Sequence, residues 1–112
     1  MENLHNKKCI PCKKGTEPFT EAEAQKYLQI LQAPWRLVEN HHLEREFHFQ
    51  NFVQALAFTN QIGAIAEAEG HHPDIFLGWG KVIVTLWTHK IHGLSENDFI
   101  LAAKIDTILS VT

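Results

Sequence analysis

The chain has 112 residues, 45% hydrophobic and 21% charged, with a net charge of −3 when histidine is counted as neutral. That is the balance of one ordinary globular domain long enough to bury a core, and it offers no basic footprint for nucleic acid or an anionic membrane. The longest strongly apolar run, Val82 to Trp87, is far too short to span a bilayer, and Lys7, Lys8, Lys13 and Lys14 enclose no apolar stretch of secretory type. A cytoplasmic protein is the expectation.

Residues 1–19 mix lysine, cysteine, proline and glycine without periodicity and read as a flexible N-terminal arm, mobile or loosely docked, ahead of a domain over 20–112. The two cysteines, Cys9 and Cys12, form one C-x-x-C there. A disulfide across so short a loop would stabilise little of the fold. A functionally minor segment is expected, with a metal clip completed by His5 or a second subunit as the alternative.

Thr20 and Glu23 form a capping box, and Ala24, Tyr27, Leu28 and Leu31 follow at helical spacing until Pro34 stops the helix. Trp35 to Glu39 is a short strand, and Asn40-His41-His42 a polar turn. From Leu43 to Phe49 the residues alternate, with Leu43, Arg45, Phe47 and Phe49 on one face and Glu44, Glu46 and His48 on the other, which is a strand with one wet face. Asn51 caps a longer helix from Phe52 to Glu69 with Gly70 as its C-cap, and Gly63 is read as a close helix–sheet approach. Ile75 to Trp79 is a short apolar strand, Trp79 being assigned to the core. Lys81 to His89 is rich in β-branched and aromatic residues and predicts a strand with Ile83, Thr85, Trp87 and His89 on one face. Ser95 caps a last helix with Asp98 at N3, striped by Leu101, Ile105, Ile108 and Leu109. The order is α-β-β-α-β-β-α. Its short strand connections predict an α+β fold, a four-stranded antiparallel sheet with three helices packed on one face.

Eight histidines are the unusual feature of the composition. Imidazole changes charge near neutral pH, so the excess points to proton chemistry or to metal. His71 and His72 sit at a helix-to-strand junction stiffened by Pro73, and His89 closes the long strand. Glu67 and Asp98 are placed to orient or tune these imidazoles. His92 is read as solvent-facing. A zinc site on His71, His72 and His89, or on His89 and His92, is a rival reading, though no diagnostic H-E-x-x-H spacing supports it.

The fixed positions Glu67, His71-His72-Pro73, Trp79, His89 and Asp98 are spread over more than thirty residues, and their spacing resembles the signature of the pterin-4a-carbinolamine dehydratases. The similarity runs from Thr20 to the last helix, taking in Trp35 and the Thr88-His89 to Gly93-Leu94-Ser95 stretch, and the C-x-P-C arm resembles that of many bacterial members. The resemblance implies dehydration of a 4a-hydroxytetrahydropterin to the quinonoid dihydropterin, in recycling the cofactor of aromatic amino acid hydroxylases. It implies no metal or prosthetic group, and a homodimer or homotetramer, for which the open sheet face and the last helix would serve as the interface. It also implies His71 and His89 as the acid–base pair and His72 as a positioning group. Glu67, Pro73, Trp35, Thr88 and Asp98 would complete the substrate-binding set. Two positions depart from relatives: Gly70 stands where an acidic or amide residue is common, and Trp87 where some have a small one. A non-catalytic protein-binding, dimerisation or assembly role on the same fold is the alternative function.

Overall fold

The computed structural model describes residues 3–13 and 15–110. The first helix, α1 (Glu21–Leu31), starts with the expected reciprocal cap: Glu23 N–H donates to Thr20 Oγ1 at 3.2 Å and Thr20 N–H to Glu23 Oε1 at 2.9 Å. It ends on Gln32 in the left-handed conformation, two residues before Pro34. The strands β1 (Arg36–Val38) and β2 (His42–His48) form a hairpin. Its turn centres on Glu39 and Asn40, both at positive φ, with His41 N–H donating to the Val38 carbonyl at 2.9 Å. Paired positive φ values match the right-handed twist of the flanking strands, so the turn lies one residue earlier than the sequence suggests.

Next come α2 (Phe52–Glu69), β3 (Asp74–Gly78), β4 (Lys81–Leu86) and α3 (Glu96–Ser110). The sheet is antiparallel throughout, in the order β1-β2-β4-β3. This is the predicted α+β architecture. Leu43 and Phe47 of β2 and Val82, Val84 and Leu86 of β4 are buried under the helices together with Phe58 and Ile62 of α2 and Phe99, Leu101 and Ile105 of α3. Each such aliphatic or aromatic side chain contributes about 1.5–3 kcal/mol by leaving water.

Three expectations are corrected. Trp79 is not core: it sits on the two-residue β3–β4 turn and is 73% exposed. A Cβ on Gly63 would meet nothing within 4 Å, so no close approach occurs there. The last strand ends at Leu86 rather than His89, because Thr88 turns to pair with Gly93 and residues His89–Ile91 form a 3-10 turn. Gly93 is required at that bridge, since a Cβ there would lie 2.6 Å from Pro18 Cβ. The inner face of α3 packs as its apolar stripe requires: Phe99 to Ala102 and Ile105 are buried, and the 3-10 turn Leu4–Asn6 lies against the helix with Leu4 in the core. Among the described residues no helix is long and apolar enough to cross a membrane.

Candidate active site

The C-cap of α2 decides where the first two histidines go. Gly70 adopts φ +65°, and its N–H closes the helix on the Ala66 carbonyl. A residue with a Cβ is strained in that conformation, so glycine suits this cap. The chain then leaves the helix with His71 turned toward α3. His71 Nε2 lies 2.7 Å from Asp98 Oδ1, and its side chain is only 12% exposed.

Asp98 is fully buried in the first turn of α3. Its other oxygen, Oδ2, accepts the Ser95 N–H at 3.0 Å and the Thr88 hydroxyl at 2.9 Å. Because the Thr88 proton goes to the carboxylate, Ser95 Oγ is the donor in its 2.8 Å bond to Thr88 Oγ1. The predicted cap is therefore half of a capping box. Asp98 reaches back to the Ser95 amide, while the Ser95 hydroxyl extends the network to Thr88. An ionised Asp98 accepts only, so the proton between it and His71 sits on His71 Nε2, which leaves Nδ1 available for exchange.

His72 points the other way, 2.5 Å from Glu67 Oε2 in an exposed pair. Exposed pairs of this kind contribute about 0–1 kcal/mol, so this one adds little to the stability of the fold. His89 lies on the Trp87 ring, with centroids 3.9 Å apart, and the Trp87 indole N–H is directed at Asp74 Oδ2 at 3.4 Å. Trp87 also contacts His41 at 4.5 Å and, more distantly, His92 at 6.5 Å, the latter exposed as expected.

A cavity of about 300 Å³ opens between these groups, lined by His71, His72, Trp87, Thr88 and His89. Its opposite wall is the N-terminal segment from Cys9 to Cys12, together with Glu69 and Asn97. The predicted histidines thus share one cavity. Glu67, Pro73, Trp35 and Asp98 do not line it. Glu67 and Asp98 reach it through His72 and His71. Trp35 is 4% exposed and donates its indole N–H to the Asp106 carboxylate at 3.0 Å.

The partners of the arm are what the sequence did not show. Cys9 N–H donates to Glu69 Oε1 at 2.8 Å, and the Asn97 carboxamide accepts Ile10 N–H at 2.9 Å and donates to the Ile10 carbonyl at 2.6 Å. Burial, reinforced by the Glu69 and Asp98 charges, pushes the Cys9 thiol up to about 12, so it stays protonated. The Cys9 amide holds Glu69 below the usual carboxylate range. Among the described residues no group of three or more His, Cys, Asp or Glu side chains is arranged to hold a metal ion.

An α+β domain that sets a buried aspartate behind one of three histidines on a shared cavity has close counterparts among known proteins. A family model described as pterin 4 alpha carbinolamine dehydratase matches residues 17–108. A protein of Alkaliphilus metalliredigens assigned by name to the pterin-4-alpha-carbinolamine dehydratases is 58% identical over 106 residues, 95% of this chain and 96% of its own. The crystal structure of a transcriptional coactivator/pterin dehydratase from Brucella melitensis superposes with a TM-score of 0.77 at 34% identity, covering 82% of this chain and 98% of that one. A pterin dehydratase-like protein identified as a RuBisCO assembly factor in the alpha-carboxysome superposes at 0.58 with 28% identity, over 70% of this chain and 92% of its own. The chain belongs to the pterin-4-alpha-carbinolamine dehydratase family, a family of hydro-lyases.

Proposed function

We propose that the chain dehydrates a 4a-hydroxytetrahydropterin to the quinonoid dihydropterin and water in the cavity shared by His71, His72 and His89. The observation that carries this reading is the His71–Asp98 pair, 2.7 Å apart, beside two further imidazoles in a member of this family. The elimination takes a proton from ring nitrogen N5, forms the N5–C4a double bond, and expels the 4a-hydroxyl as water once it has received a proton. Imidazoles, with an unperturbed pKa of ~6.5, can do both, and each such transfer is worth about 10²–10⁴-fold. His71, with its Nε2 proton fixed by Asp98, exchanges a proton at Nδ1. His89, seated on Trp87, is the second member of the acid–base pair. His72 and Glu67 bind and orient the substrate, Pro73 restricts the His72 backbone, and Thr88 with Asp98 positions His71 rather than touching substrate.

This activity serves the recycling of a pterin cofactor, the aromatic amino acid hydroxylases being the enzymes that consume it, in the cytoplasm. Self-association into a dimer or tetramer uses the open sheet face, where Arg36, Glu44, Glu46, Phe76 and Ile83 lie. The runner-up is an assembly or protein-binding role, supported by the likeness to the RuBisCO assembly factor. Retention of all three histidines supports the enzyme. The test is dehydration of a synthetic 4a-hydroxytetrahydropterin. Wild type accelerates it over buffer, and His71→Ala and His89→Ala each lose about 10²–10⁴-fold. Wild-type protein no better than buffer overturns the reading in favour of the binding role.

A further inference from the structure

Four residues on the wall of the histidine cavity, Cys9, Ile10, Pro11 and Cys12, come from the N-terminal arm. The arm is held at several points along its length. Lys7 Nζ pairs with Glu96 Oε2 at 2.9 Å, Lys104 Nζ donates to the His5 carbonyl at 2.9 Å, and Cys9 N–H donates to Glu69. The tightest clamp is on Ile10, whose N–H and carbonyl are both engaged by the buried Asn97 carboxamide. Two hydrogen bonds to one residue fix both peptide planes around it, so the direction of its side chain is set as well. Glu96, Asn97 and Asp98 are consecutive. One turn of α3 therefore sets the position of the arm and of the His71 imidazole together.

Ile10 is nonetheless 71% exposed, although its backbone is clamped and it borders the cavity. An aliphatic side chain held out beside acid–base groups gains free energy when a flat, weakly hydrated ring face covers it. A bicyclic pterin presents such a face, and its polar edge would lie toward the imidazoles. Resting on the dehydratase reading above, we propose that Ile10 is a substrate-specificity residue that packs on the pterin ring face. Asn97 is the positioning residue that holds it there.

The experiment compares KM and kcat for the 4a-hydroxy substrate in full-length wild type, Ile10→Ala, Ile10→Leu and Asn97→Ala. Alongside, the Kd for 7,8-dihydropterin, which has no 4a-hydroxyl to lose, is read by quenching of tryptophan fluorescence. Since the Ile10 side chain is exposed, its replacement leaves the fold intact. Ile10→Ala raises KM and Kd about three- to tenfold while kcat stays within about twofold, and Ile10→Leu restores both. Asn97→Ala shifts KM in the same direction. If wild type turns over and binds pterin but Ile10→Ala keeps wild-type KM and Kd, or loses kcat alone, the role of Ile10 is overturned while the activity stands. If wild type itself neither turns over nor binds 7,8-dihydropterin, the reading of the site falls and takes this inference with it.

Discussion

Asp98 is a carboxylate shut away from water, and its charge is tolerable only because three donors converge on it: the Ser95 amide, the Thr88 hydroxyl and His71 Nε2. Asp98→Ala strands all three, at a cost of about 3–5 kcal/mol in chemical denaturation. Asp98→Asn is the more informative change. The amide keeps one acceptor and much of the shape, so the stability loss is smaller, about 1–3 kcal/mol. If its NH₂ faces His71, however, the imidazole must present a lone pair at Nε2 and carry its proton on Nδ1, the wrong tautomer for the proposed exchange. The expected kcat loss is about 10²–10⁴-fold, and an Asn variant with wild-type kcat would contradict the role given to this pair. The sequence shows Asp98 as a helix N3 residue and His71 as a junction residue. That they meet across 27 positions follows from the spacing only through resemblance, since no local pattern encodes it.

At the scale of elements, the helices and strands are legible within a few residues because each has a period and a cap: Thr20 with Glu23, Asn51, Gly70, and the alternation in β2 and β4. The errors fall where a tertiary contact outweighs local propensity. Thr88 leaves the strand to pair with Gly93, and apolar Trp79 is carried out to solvent by a two-residue turn. The contacts of the arm are the least legible in the sequence. The arm docks through hydrogen bonds to Glu69, Asn97 and Lys104, between 60 and 99 positions away, and such contacts leave no periodic trace. This docking has a chemical signature. With its thiol pushed up from 9.0 to about 12, Cys9 holds roughly a thousandfold less thiolate than an ordinary cysteine at pH 8. Iodoacetamide at that pH therefore modifies Cys12 first, and peptide mass spectrometry finds Cys9 intact. Glu69→Ala removes both the amide's acceptor and a charge that raises the thiol, so Cys9 alkylation speeds up. Equal rates at the two cysteines in wild type would show that the arm is not held down. The sign with pH follows from Glu69, whose carboxyl is lowered by the Cys9 amide. Its contribution to docking is full above the ordinary glutamate range, near ~4.3, and is lost as pH falls through the lowered value.

Across the whole molecule, α3 serves two sites that can be separated. Its first turn holds the arm and His71. Eight residues on, about 12 Å along the axis, Asp106 accepts the Trp35 indole N–H and pairs with Arg45 Nη1 at 2.6 Å, fastening the helix to the start of β1 and the middle of β2. Burial raises the Asp106 pKa even though Trp35 and Arg45 oppose the shift. For an acid the sign is then the reverse of Glu69: its contribution to stability is most favourable at low pH and falls as pH rises from the ordinary carboxylate range through the raised value. Asp106→Ala leaves a buried indole N–H and a guanidinium only 15% exposed without this carboxylate, whereas Asp106→Asn keeps an acceptor for Trp35. We expect Asp106→Ala to lose about 2–4 kcal/mol, a fall of roughly 10–25 °C in Tm for a domain of this size, and Asp106→Asn to lose less. Dehydratase kcat, measured well below the lowered Tm, stays within about twofold of wild type in both, because neither change touches the turn that carries Asn97 and Asp98. A kcat loss approaching that of His71→Ala would mean that the two ends of α3 are coupled, and that Trp35 acts on the pocket from within the core.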